Sequence, residues 1–500
     1  MSNDISGNFR VGVDISNFSN VDGTRLLFVE RSMGFTQLAS RHRLRRLHDL
    51  ELRWQGNASW VARSEPDTRS LRYEQLEGEA MRYIDQAGSG ERFFSDLDES
   101  GLGTGLDASL PLGRITLSAG GSVQHLDRSF AARRFRFSLR PGGDRMAKFL
   151  PPDEIFSAEQ IGANFELAEE THWVDAYDAT QLVTAGYSGA GLELGQRVRL
   201  VGGARYEVAT QKLTPGSPNA IDMDTGKGRV DRTDRSWVPS SSAVVSLTRD
   251  MNLRLAYSYT LARPRFRELA SFSFTDYTRD VNITGEPTLV QSRIHNADLR
   301  WEWFLGDTDV LAASLFYKRF RDPIEAVVFP TGDLGFDNAE SARAIGAELE
   351  ARLSLGVVAA ALREVRLWSN ATLSRTRIEL SADEVRSQSS ASRALQGQAP
   401  VVLNVGASWS HRASGSELTA LYNVVGRRIE AVGINGLPDA FREPAHQLDL
   451  AASQELGDDL TLKLGASNLL NQSEILRQGG FDVYRQSPGV AVSAALEWAP

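Results

Sequence analysis

The feature that most restricts this chain is a two-residue alternation of apolar and polar side chains, renewed in run after run along its length. Leu50, Leu52, Trp54, Ala58 and Trp60 alternate with Glu51, Arg53, Gln55, Asn57 and Ser59. Leu253, Leu255, Tyr257, Tyr259 and Leu261 alternate with Arg254, Ala256, Ser258 and Thr260. The pattern recurs over Leu299–Trp303, Ile345–Leu355, Val401–Trp409 and Val490–Trp498. A period of two belongs to a strand with one apolar and one polar face. Many runs reach the roughly 9–11 residues of a tilted membrane-crossing strand, whereas strands of soluble domains average about 5–6. Aromatic side chains gather near run ends (Trp60, Tyr257, Tyr259, Trp301, Trp303, Trp409, Trp498), as at the two interfaces of a bilayer. The polar face carries Asp298, Arg300 and Glu302, then Glu348, Glu350 and Arg352. Such charges would ruin a packed sandwich core and suit a water-filled lumen.

Connections alternate in length. Arg249–Asn252, Gly306–Asp309, Gly356–Glu364, His411–Ser416 and Leu456–Asp459 are short. The connections between them, 264–294, 321–338, 377–395, 427–446 and 471–488, are long. Outer-membrane barrels are built this way, with short periplasmic turns and long outer loops. Counted so, the chain holds roughly nineteen strands. The fold class expected is therefore all-β, a transmembrane antiparallel β-barrel of the bacterial outer membrane, occupying 1–500 as one domain. The segment Trp54–Arg72, with Glu65-Pro66-Asp67 as a tight turn, reads as an early hairpin.

Composition excludes several alternatives. Lys+Arg 55 against Asp+Glu 64 argues against nucleic acid as a partner, which selects a basic face. Without cysteine there is neither a disulfide framework nor a thiolate metal site. The longest apolar stretch, Val357–Leu362, is far short of the ~20 residues of a spanning helix. Seven scattered histidines lack zinc spacing, and Gly186–Ala190 misses the nucleophile-elbow pattern at its last position. Asp222 and Asp224 hint at calcium, yet no glutamate follows at the EF-hand distance. The reading is of no enzyme, no cofactor and no metal.

Specific stretches, in order and at consistent spacing, resemble the barrels of TonB-dependent receptors. They run from Gly203–Glu207 through Trp237–Ser240 and Asn252–Ser258 to Ala262–Leu269, then Gly285–Leu289, Asn296–Glu302 and Phe316–Phe320. Asp322–Glu325, Gly346–Glu350, Leu395–Pro400, Tyr422–Ile429 and Asn468–Leu470 complete the set. The motif positions carried over as structural are Arg263, Pro264, Arg267, Glu268, Asn296, Asp298, Asp322, Pro323, Glu325, Gly346, Glu348, Gln396, Gly397, Gln398, Pro400, Asn423 and Gly426. The resemblance implies about 22 strands, a plug in the lumen and a TonB-box peptide ahead of it. Met1–Arg10 shows no signal-peptide pattern and strand-like alternation begins at Phe9, so the sequence reads as the barrel portion without plug, TonB box or signal.

The function implied is active uptake of a bulky ligand, a siderophore, an oligosaccharide or similar, across the outer membrane. The partners implied are outer-membrane lipid, an extracellular ligand, and the TonB complex through a plug region. Trp173, Phe272, Phe274 and Tyr277, in aromatic outer loops, are the candidate ligand contacts, with loop packing as the plainer reading. A passive porin-like or structural barrel is the alternative function, and a secreted β-rich adhesin a weaker one.

Overall fold

In the computed structural model the described residues are 2–14, 19–86, 88–276, 281–306, 308–328, 333–380, 392–433 and 437–498. Side chains before residue 19 lie outside the description, and with them the faces expected for Phe9, Val11 and Val13. Among the described residues, eighteen long strands and three short ones form one sheet, close to the expected count. The long strands are β1 (Ser2–Asp14), β2 (Ser19–Leu44), β3 (Leu50–Gln75), β4 (Glu91–Leu112), β5 (Ile115–Leu139) and β6 (Ala176–Leu194). They continue with β7 (Val198–Pro215), β8 (Val230–Ser246), β9 (Met251–Ala262), β10 (Ser292–Phe304), β11 (Val310–Arg321) and β12 (Ser341–Ser354). The last six are β13 (Val365–Glu379), β14 (Val401–His411), β15 (Ser416–Val425), β16 (Ala445–Glu455), β17 (Leu460–Ser467) and β18 (Ala491–Trp498). Each pairs antiparallel with the next in sequence, the meander of an up-and-down barrel. Short turns close one end, as at 113–114, 195–197 and 412–415. The other end carries 76–90, 140–175, 216–229, 263–291, 322–340, 380–400, 426–444 and 468–490. Among the described residues no helix is long and apolar enough to cross a membrane.

The alternation sorts the side chains as the sequence implies. Leu299, Leu315, Ile345 and Leu349 lie on the outer face and are exposed, Leu315 at 57%. Their neighbours in sequence point the other way and meet across strands. Arg254 Nε lies 2.7 Å from Glu302, which also accepts from Arg300 Nε at 2.9 Å. Arg300 Nη2 reaches Glu350 at 2.7 Å, and Arg352 stands 3.8 Å from Glu350. A charge ladder thus stitches β9, β10 and β12 on the lumenal side. Aromatic girdles mark the outer face: Tyr257 and Tyr259 beside His295 toward the long-loop end, Trp301 beside Trp303 toward the short-turn end.

The expected hairpin at Trp54–Arg72 is corrected by the structure. The segment is one continuous strand, β3, and Glu65-Pro66-Asp67 is a β-bulge rather than a turn. Pairing with β4 passes from Glu65↔Ser95 to Thr68↔Phe93, so β3 holds one extra residue. Proline lacks an N–H for the ladder, and a bulge is one of the few places a sheet accommodates it. Asp67 turns outward there and takes Arg92 in a fork, at 3.0 and 2.8 Å.

Candidate functional site

At the long-loop end the chain folds back over the barrel mouth. Pro264 ends β9, and its carbonyl accepts from Gln211 Nε2 at 3.0 Å. Arg263 forms an ion pair with Glu207 on β7, which Arg205 also holds at 2.6 Å. The Glu268 carboxylate accepts the Arg265 N–H at 2.8 Å and so caps the one-turn helix Phe266–Leu269. Phe266, Leu269, Ala270, Phe272 and Leu289 pack from this loop onto Phe130, Tyr177 and Leu213 of the wall.

Two arginines clamp the packed loop. Arg267 donates to the carbonyls of Phe272 at 3.0 Å and Ile283 at 3.1 Å. Its guanidinium lies 3.8 Å from the Phe274 ring centre and 5.0 Å from that of Phe272. Burial pushes Arg267 down to about 9, so it remains cationic at neutral pH. Carbonyl oxygens and ring faces take the place of its hydration, and a desolvated cation over a ring gains about 2 kcal/mol. Arg134 on β5 reaches Asp175 at 3.2 Å, donates to the Ser273 carbonyl, and lies 5.1 Å from the Phe272 ring. Its part in the mouth went unforeseen, because Arg134 in sequence is one of several arginines in an alternating run.

The four candidate contact residues are placed unequally. Phe272 is buried at 4% exposure, and Phe274 lies half-buried under Arg267. Tyr277 lies outside the described residues. Trp173 sits in the 3₁₀ turn Trp173–Asp175, its backbone N–H donating to Asp222 at 2.6 Å and its ring over Gly216. Asp224 is held by the Gly226 N–H at 2.8 Å and by Arg229 at 2.6 Å, which together keep its carboxyl below the usual range.

The remaining motif positions brace strand tops and loops. Asn296 donates to Thr260 Oγ1 at 3.0 Å and accepts from Lys318 at 2.9 Å, while Asp298 and Glu348 stand exposed on the lumenal face. Asp322 takes a positive φ of 53°, and its carbonyl accepts from Ser292 and Asn338 at 2.8 and 2.7 Å. The carbonyl of Pro323 accepts the Ala339 N–H at 2.9 Å. Glu325 meets Arg393 at 2.8 Å in a buried pair that ties 322–340 to 380–400. Gln396 donates to the Glu430 carbonyl at 2.7 Å, and Gly397, at φ 76°, gives its N–H to Ile429 at 2.8 Å. Gln398 accepts from Thr376 at 2.9 Å, and Pro400 accepts the Ser374 N–H at 2.9 Å. Gly426 closes β15 by donating to Val401 at 2.8 Å, and Asn423 donates to Asn404 at 2.5 Å. Gly346 lies beneath the Phe316 ring.

An antiparallel meander with a charged lumen, and long loops at one end, is the geometry of an outer-membrane β-barrel. The family model for the TonB-dependent receptor-like β-barrel matches residues 2–469. The chain belongs to that family. Solved structures of TonB-dependent receptor barrels share its fold at low identity. The ferric citrate transporter FecA in its unliganded form is 11% identical, with a TM-score of 0.57, over 99% of this chain and 73% of that one. The ferric-catecholate import receptor Fiu from E. coli K12 gives 12% and 0.56, over 99% and 80%. The copper transporter OprC gives 13% and 0.54, over 99% and 79%. No curated protein matches the chain in sequence. TonB-dependent receptors are outer-membrane transport receptors, and the long strands described above fit that setting.

Proposed function

We propose that this receptor barrel serves active uptake of a bulky ligand, a siderophore, an oligosaccharide or a solute of similar size, coupled to TonB through a plug region. The observation that carries the reading is the mouth. A gated receptor needs a mouth loop with a defined packed position, held by more than its own backbone. Arg267 and Arg134 give segment 263–291 such a position. The outer aromatic side chains Trp173, Phe272, Phe274 and Tyr277 would meet ligand as that loop moves.

The test is accumulation of labelled ferric siderophores and oligosaccharides by cells with and without the gene, each with and without a protonophore. Accumulation that depends on the gene and stops with the protonophore is expected. Gene-dependent entry that continues down its gradient in de-energised cells would overturn the reading in favour of a passive barrel.

A further inference from the structure

Lumenal side chains change character around the wall. Strands β9 to β12 carry the guanidinium–carboxylate ladder. Beyond Glu350, the same cross-strand row continues as Asn370, Asn404, Asn423 and Gln447 on β13 to β16. Asn404 Nδ2 donates to Asn370 at 2.7 Å and Asn423 Nδ2 to Asn404 at 2.5 Å. The next row reads Trp368, Gly406, Leu421, Asp449. A Cβ at Gly406 would stand 2.1 Å from Trp368 Cε2, so the indole lies flat over the one residue that leaves it room. Gln447 donates to Asp449 at 2.9 Å. The hollow between the two rows, about 260 Å³, is lined by Trp368, Asn404, Leu421, Asn423, Gln447 and Asp449. That is below the roughly 300 Å³ at which sites for drug-sized ligands begin.

We propose that this hollow is a subsite for one neutral sugar ring of an oligosaccharide passing along the lumen. A pyranose offers an apolar C–H face and a rim of hydroxyls. The flat indole takes the face, and the amides take the rim, each having both a donor and an acceptor end. Asn423 Oδ1 and Gln447 Oε1, both at the hollow, accept no hydrogen bond from the described residues and leave acceptors for such a rim. The Asp449 carboxylate adds a strong acceptor for one O–H. An anionic chelate would be served by the arginines of the adjoining strands β9 to β12 instead. The proposal narrows the ligand class of the proposed uptake, and rests on that reading for how sugar enters the lumen.

The experiment is direct binding to the purified protein in a sugar-free detergent, with maltohexaose, cellohexaose and xylohexaose as probes. Calorimetry and quenching of tryptophan fluorescence read the result. Saturable binding of at least one probe is expected. Trp368→Ala and Asn423→Leu should each weaken it about tenfold or more, Trp368→Phe less, and the outer-face variant Trp409→Ala should leave it unchanged. Heat-modifiable migration on gels confirms that each variant is folded. Absence of saturation by all three sugars, or undiminished binding in folded Trp368→Ala, overturns the subsite. Binding that persists while energy-dependent accumulation fails sinks the uptake reading and leaves the subsite standing.

Discussion

Gly346 and Gly406 each lie under an aromatic ring that a neighbouring strand lays across the lumenal wall. At Gly346 an added Cβ would meet Phe316 Cζ at 2.4 Å and the Leu373 carbonyl at 2.6 Å. The ring can swing away, but the backbone carbonyl cannot. Gly346→Val should therefore cost about 1–3 kcal/mol, read as a lowered urea midpoint for the heat-modifiable form. Gly346 is legible in the sequence through the family motif. Gly406 is not, because the ring it accommodates belongs to another run, and only strand register joins them. Arg267 is a second case: its position is a motif position, but its burial depends on the loop's fold. Burial holds its folded value at about 9, well below that of a free guanidinium, so the freed loop holds the proton more tightly than the packed loop. Packing is favoured progressively as pH rises above about 9, and its full electrostatic cost applies below that. Cleavage within 263–291 by added protease should slow between pH 8.5 and 10.5 in the native protein. In Arg267→Met that dependence should vanish. Faster cleavage at neutral pH is also expected there, because two carbonyls lose a donor at about 1–3 kcal/mol each.

At the scale of the strand, period two translates directly into faces. β10 sets Leu299, Trp301 and Trp303 outward and turns Arg300 and Glu302 into the ladder. A chain without cysteine makes this easy to probe. Cysteine at 300 should react with a water-soluble thiol reagent in intact membranes, while cysteine at 301 should stay unlabelled; equal labelling would contradict the assignment of faces. The alternating connection lengths were equally readable, since turn and loop lengths are local properties. What the alternation could not convey is pairing register. Asn370, Asn404, Asn423 and Gln447 come from four different strands, and only the ladder of backbone hydrogen bonds aligns them. Pro66 misleads for a related reason: a proline usually ends a strand, but here both neighbouring strands accommodate the extra residue.

The whole molecule presents an apolar belt between two aromatic girdles, and the cost of breaching it depends on depth. Leu315, paired with Ala347 and Leu299 in mid-strand, should cost about 2–4 kcal/mol on change to arginine. Tyr259→Arg, at the girdle, should cost about 0–1 kcal/mol. Reversible urea unfolding in lipid vesicles measures both, and equal costs would misplace the belt. Every wall strand is also a count in which parity decides between oil and water, and the bulge at Pro66 shifts that count by one. Below it even-numbered residues of β3 look outward; above it odd-numbered ones do, as Asp67 and Arg69 show by meeting Arg92 or each other outside. The outer portion of β3 is thereby out of phase with the portion in the membrane. Loss of one residue at Pro66 should straighten the strand and spare every partner, and the barrel should still migrate as a folded species. Loss of one residue at Ala58 should turn Glu51, Arg53 and Gln55 toward the bilayer and leave no folded species at all.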